Sequence, residues 1–450
     1  MRSKKRNIFI VAGIVLVCLM LTFSCGEKKD DEEVARLKAE ISQLKDELEK
    51  CRAELEKYKA ELAEVPPVAP EVYKLGMSLA ITGPTSDAGN PYAKGAEDWF
   101  KFVNETDYLG DGDKIDCPIR DDQYKNDVTK RFFEEFLDDG ILIFLSYATG
   151  GNLALKRDFE EVQIPVIPAS YHEGLIVDAD YTFMPVATYS ENAVGLGEYV
   201  TENHKGDDTP QVAFFIHPSA FGRGPLEDTQ KAIAEGLNIE IVEVVEHGTD
   251  LDNTAMLQRL VSKGVQYVIC HTVQTPVATM LTDAQRLGVT AGSFGEKGKL
   301  TFLGAHYTGG SDLIALAGTA TEGYLWADSY NLTSENNEGA KKQLELAARY
   351  GRDEKAANSH NYGAGILAAQ IATEAIKMAK ETGLKVTRPN LYIMLQKMNF
   401  NSFAAAGPVT YSDTERIGVD VQNIYVAQDG VFKKIQSFES KYIQKVRAGR

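Results

Sequence analysis

Two doubly wound α/β lobes, preceded by one long helix, are the architecture that this sequence predicts. Three observations carry the expectation. Strand and helix signals alternate in two successive series from residue 73 onward, a heptad pattern runs without a slip over residues 34–62, and a proline-rich stretch lies between the two.

The N-terminus comes first. Arg2, Lys4, Lys5 and Arg6 form a basic head, and an apolar run from Ile8 to Leu21 follows. That run is short of the ~20 residues a spanning helix needs, and residues 1–24 read as a signal peptide. It ends in LTFSCGEKK, where small Ser24 precedes Cys25. The stretch resembles a bacterial lipoprotein signal, which implies lipid attachment at Cys25 and a tether over residues 25–30. It departs from that pattern in carrying Thr22 three residues before the cysteine, with Leu21 one further back. An uncleaved N-terminal anchor is the alternative. Either way the chain is extracytoplasmic and membrane-anchored, on the periplasmic face or the cell surface.

About 425 residues follow Cys25, more than one compact core usually holds, so two lobes are expected. The formal net charge of −17 argues against nucleic acid as a partner, because phosphate contacts need a basic face. Five cysteines, widely spaced, make no disulfide framework.

Next comes the stalk, residues 31–64. Val34, Leu37, Ile41, Leu44, Leu48, Cys51, Leu55, Tyr58 and Leu62 alternate steps of three and four, an a/d seam. With Val34 at position a, every g is glutamate (Glu33, Glu40, Glu47, Glu54, Glu61), and every e from Lys38 is basic (Lys45, Arg52, Lys59). In a parallel pair each g faces the partner's next e, so the pattern predicts a coiled-coil homodimer through residues 34–62. A single solvated helix, supported by i,i+4 ion pairs, is the alternative. Cys51 falls on d, either bridging to its twin or packing as a small apolar thiol. Pro66, Pro67 and Pro70 close the helix and make residues 65–72 a stiff linker.

In the globular part YKLGMSLAIT, KIDCPIRDD, ILIFLSY and IPVIPASY read as strands, with helices from about residue 90, over 127–137 and over 153–161. A second series runs QVAFFIHP, IEIVEVVEH, VQYVICHT and KLTFLGAHY. Ligands in such sheets bind beyond the carboxyl ends of the strands. The loops of interest are therefore TGPTSDAGN, YATGGN, ASYHEG, HPSAFGRG, HTVQTP (with Gln274) and AHYTGG.

LAITGPTSDAGNPYAKGAEDWFKFVNE resembles the opening of the type I periplasmic solute-binding proteins, the leucine/isoleucine/valine-binding branch, in which a first strand runs into Ser/Thr-Gly-Pro and a helix with Gly-Ala. IPVIPAS, AFGRGPLED, KLTFLG and LAGTATEGYL are similar to later motifs of that family, in the same order, from about residue 73 to 438. The resemblance implies two lobes joined by three crossovers, here near 186–189, 326–328 and 407–411. Lobe 1 would then comprise residues 73–187 and 328–408, and lobe 2 residues 188–327 and 409–450.

The family holds the polar end of its ligand on a Ser/Thr-rich loop and the strand end after it. Carried over, these are Thr149 and Gly150 (with Gly151), then Ala169, Ser170 and Tyr171. Hydroxyls and glycine-exposed N–H groups there would donate to a carboxylate or amide. Thr149 reads equally as a helix cap. The aromatic of the second lobe's turn matches Phe221, alternatively a packing residue. Where amino-acid binders carry an acid the chain has His306, with Tyr307 beside it. A neutral imidazole is a poor partner for an ammonium, which disfavours an ordinary α-amino acid. The ligand class implied is an amino acid, an amide or a small carboxylic or aromatic acid.

Enzyme readings fare badly. Cys270 and His271 are neighbours on one strand and point to opposite faces, so no metal site is expected there. Gly363, Gly365 and Ala368 spell Gly-x-Gly-x-x-Ala without a preceding strand, so a helix start is the better reading. No nucleophile elbow, phosphate loop or zinc-peptidase helix is present, and no cofactor is expected. The reading is a solute-binding protein delivering its ligand to an ABC permease. A ligand-sensing receptor of the same fold and a surface lipoprotein with an inactive cleft are the competing readings.

Overall fold

The computed structural model describes residues 31–63, 69–248 and 252–448. The signal segment, Cys25 with the tether over residues 25–30, and residues 65–68 of the linker lie outside the described residues. The chain divides into two compact units, one ending at Ala69 and one running from Pro70.

In the first unit a single helix spans Asp31–Ala63. Among residues 35–57 the least exposed are Leu37, Ile41, Leu44, Leu48 and Cys51, all on the predicted seam. Leu55 is more open, at 43% exposure.

The second unit is built on two sheets. A four-stranded parallel sheet has the spatial order Ile119–Asp121, Gly76–Leu79, Phe144–Ser146, Val166–Pro168. Two expected strands are broken here. KIDCPIRDD bends at Pro118, which has no N–H to donate and whose carbonyl accepts from Met77 N–H (3.2 Å). Each half finds a different partner: Lys114–Asp116 pairs with Val72–Lys74, and Ile119–Asp121 pairs with Gly76–Leu79.

Helices Ser86–Glu105 and His360–Glu381 cross on this lobe at backbone contact. A Cβ on Gly95 would stand 2.0 Å from Tyr362 O, and one on Gly365 would stand 1.9 Å from Tyr92 O. The Gly-x-Gly-x-x-Ala run is thus the start of a helix, and Gly365 serves its packing.

The second sheet has seven strands. Five are parallel: Glu240–Glu246, Gln211–Ile216, Tyr267–His271, Thr301–Ala305 and Leu325–Asp328. A C-terminal hairpin, Gln422–Gln428 and Val431–Phe438, extends it antiparallel. Asp429 and Gly430 make the turn, both with positive φ, as a two-residue hairpin loop demands.

The segments passing between the sheets lie side by side, Met184–Val186 paired parallel with Ile417–Val419. The sequence placed the third crossing at 407–411, with the lobe boundary at 408/409. The chain re-enters the large sheet only at Gln422, and Val409–Thr410 still pairs back with Asn399–Phe400. Tyr411 explains the delay: its buried hydroxyl donates to Met184 O (2.9 Å) and ties this stretch beside the first crossing.

Candidate functional site

Strand ends of both lobes meet around a small cavity of ≈ 10 Å³. The first lobe supplies Thr85, Tyr124, Tyr147, Thr149 and Ala169; the second supplies Tyr189, Phe221, Val273 and Tyr307. Four of the predicted site residues therefore line one cavity, Thr149 and Ala169 from the first lobe and Phe221 and Tyr307 from the second.

Thr149 opens helix Thr149–Glu161 directly after strand Phe144–Ser146, and the cap position is Ala148, which brings no side-chain acceptor. The cap reading of Thr149 therefore gives way to a different contact. Its Oγ1 lies 2.8 Å from the buried Ser170 Oγ. Gly150 turns toward Asn126, where a Cβ would come within 2.6 Å of Nδ2, so only its backbone is available. An uncapped helix start with two hydroxyls beside it suits a carboxylate.

Ala169 contributes its carbonyl, which accepts from Tyr307 OH (2.7 Å) and Tyr189 OH (3.2 Å) of the facing lobe. Tyr171 stands one layer back, its hydroxyl 2.7 Å from that of Tyr330. Phe221 lies in the first turn of helix Ala220–Ala234, capped by Ser219, with its ring 5.1 Å from Tyr189. Burial holds the phenols of Tyr147, Tyr189 and Tyr307 well above their ordinary pKa, so the wall is aromatic and uncharged.

Two predicted residues lie elsewhere. Gln274 starts helix Gln274–Leu287 and lines a separate groove of ≈ 450 Å³ with Asp87 and Thr275. His306 is buried behind the wall, its ring 4.2 Å from Tyr307 and 4.6 Å from Tyr171. Burial pushes its pKa well below the usual value, and neither ring nitrogen has a hydrogen-bond partner. The inference from His306 to ligand class loses its footing, because that ring does not face the cavity.

Sequence reasoning missed Thr85, Tyr124, Tyr147, Tyr189 and Val273. Thr85, Tyr147 and Val273 sit in loops it had singled out. Tyr189 follows the first crossing. Tyr124 is held at φ +62° after Gln123 at +56°, a turn with no glycine to announce it. Across the rim of the cleft, Asp87 Oδ2 accepts from Thr275 N–H at 3.0 Å.

Two α/β lobes, linked by adjacent crossing segments and shut on an aromatic cavity with hydroxyl and carbonyl groups, define a solute-binding clamp. The chain belongs to the periplasmic binding protein family, whose model matches residues 72–430. It is 43% identical to a branched-chain amino acid ABC transporter protein from Thermus thermophilus solved with bound valine, over 85% of this chain and 100% of that one, with a TM-score of 0.80. To the leucine-, isoleucine-, valine-, threonine- and alanine-binding protein of Pseudomonas aeruginosa it is 22% identical over 262 residues; the match spans 57% of this chain and 66% of that relative, just under two thirds of its length. A solute-binding protein from R. palustris in complex with 4-hydroxybenzoate shares the fold at 17% identity, covering 82% of this chain and 98% of that one, TM-score 0.67.

Proposed function

We propose that the clamp captures a small aliphatic amino acid of branched-chain size and presents it to an ABC permease, with valine the first candidate. The observation that carries this reading is the set of hydroxyl, carbonyl and aromatic groups that both lobes bring to one cleft, on a chain 43% identical to a relative solved with valine. The carboxylate would meet Thr149, Ser170 and the start of helix Thr149–Glu161. The ammonium would face the Ala169 carbonyl and the tyrosine rings, whose faces attract cations. Phe221 and Val273 would pack on the side chain. Lipid on Cys25 would hold the chain at the outer face of a membrane, and the helix Asp31–Ala63 would pair two copies in parallel.

Calorimetry with valine, leucine, isoleucine and 4-hydroxybenzoate tests the ligand. The aliphatic amino acids bind and the aromatic acid does not. Binding of 4-hydroxybenzoate with no response to the three amino acids overturns the reading.

A further inference from the structure

The loop that brings Ala169 to the cavity continues into a short 3₁₀ turn, Glu173–Leu175, and there a buried carboxylate waits on the first lobe. Glu173 is only 2% exposed. Its partner comes from far along the chain. Arg447 Nε lies 2.6 Å from Glu173 Oε1 and Nη2 lies 3.1 Å from Oε2, a two-point contact. Arg447 Nη1 also reaches Glu191 Oε1 at 3.0 Å.

The two sides of this contact belong to different lobes. Arg447 rides on helix Lys441–Ala448, whose Ile443 and Val446 are buried against helices Tyr189–Asn203 and Ala220–Ala234 of the second lobe. Ser440 Oγ and Tyr442 N–H fasten that helix to Glu198 of the same lobe (2.6 and 3.0 Å). Glu191 is fixed there too, as the third residue of a capping box with Thr188. Glu173, by contrast, stays with the first lobe, where Lys156 Nζ holds Gly174 O at 3.1 Å. Around the contact the lobes approach so closely that a Cβ on Gly224 would stand 2.2 Å from His172 Nε2.

We propose that Arg447 is a positioning residue for closure: its guanidinium latches the loop of the ligand wall to the second lobe through Glu173. This rests on the reading that the cleft works by closing. A buried two-point ion pair between the lobes forms only when both are in place, and losing the guanidinium removes a positive charge from beside two buried carboxylates. Arg447 neutralises two carboxylates, so its removal penalises the closed form while the open form hydrates them.

Hydrogen exchange on the full chain, with no ligand added, tests this. Arg447→Gln is expected to speed exchange about tenfold in peptides covering 169–175 and 220–226, one from each lobe, and to leave the Phe144–Ser146 core unchanged. Neutralising the carboxylates as well, in Arg447→Gln with Glu173→Gln and Glu191→Gln, restores most of the protection. Faster exchange confined to 441–448 would show that Arg447 only anchors its own helix and would overturn the proposal. So would a triple variant no better protected than the single one. Because the readout needs no ligand, a failure of valine to bind would count against the proposed function and not against the latch. With valine bound, the same single variant releases it faster while association is unchanged.

Discussion

Asp328 ends the strand that leaves the large sheet for the second crossing, and it is fully buried. Burial pushes its carboxyl up to about 7, with His360 and the N–H groups of Ser329 and Tyr330 pulling the other way. In the unfolded chain the same group titrates at ~3.9. Between those values the folded protein holds a proton that the unfolded chain has released, so this group lowers stability as pH rises toward 7, by up to ~1.4 kcal/mol per unit. An amide does not titrate. Asp328→Asn should therefore gain on the wild type between pH 5 and pH 7.5 in urea unfolding, and a difference independent of pH would refute the assignment. At the wall, Thr149→Val with Ser170→Ala removes the hydroxyl pair together, so neither is left stranded. Each lost ligand hydrogen bond costs about 1 kcal/mol, more if the ligand group is charged. Affinity for valine falls while the melting curve holds; unchanged affinity removes this pair from the site.

Packed helices make a sharper prediction than single polar groups do. On helix His360–Glu381, Gly365 would place a Cβ against the Tyr92 carbonyl, which is backbone of the crossing helix and cannot step aside. Gly363, two residues away, would meet Gln343 Oε1 at 2.7 Å, the far end of a flexible side chain. Gly365→Ala is thus expected to lose roughly 1–3 kcal/mol or more in denaturant unfolding, and Gly363→Ala much less. Equal effects at both positions would show that the crossing tolerates separation. The stalk helix invites a test of register. In a parallel, in-register pair the two copies of Cys51 face each other across a d layer, near the spacing of a disulfide. Mild oxidation should give a dimer band on a non-reducing gel, lost on reduction and absent in Cys51→Ser. Sedimentation of that variant still shows a dimer if the seam itself holds the pair. A monomer by both methods defeats the pairing.

At the scale of the whole molecule, the cavity is small because both lobes contribute to it: the Tyr307 and Tyr189 hydroxyls of one reach the Ala169 carbonyl of the other, and Asp87 reaches Thr275 across the rim. A ligand enclosed in that way binds the closed, folded form alone. Saturating valine should then raise the melting temperature, equivalent to ~2.7 kcal/mol at a hundredfold excess over Kd. A flat response across valine, leucine and isoleucine would rule out the branched-chain assignment.

The order of strands and helices, the helix over Asp31–Ala63 and the loops that build the cleft were legible in the sequence, because each is written in local spacing: alternation in strands, three-and-four steps in helices, glycine and serine at strand ends. The Asp429-Gly430 hairpin turn carries a local signal of the same kind. What the tertiary structure alone decided is which side chain of each loop meets the cavity. Tyr124 and Tyr189 join the wall, and His306 turns behind it, because these placements depend on how two lobes approach and not on any neighbour in the chain. The pairing of Arg447 with Glu173, 274 residues apart, has the same cause: contacts between lobes follow from closure, and closure leaves no periodicity to read.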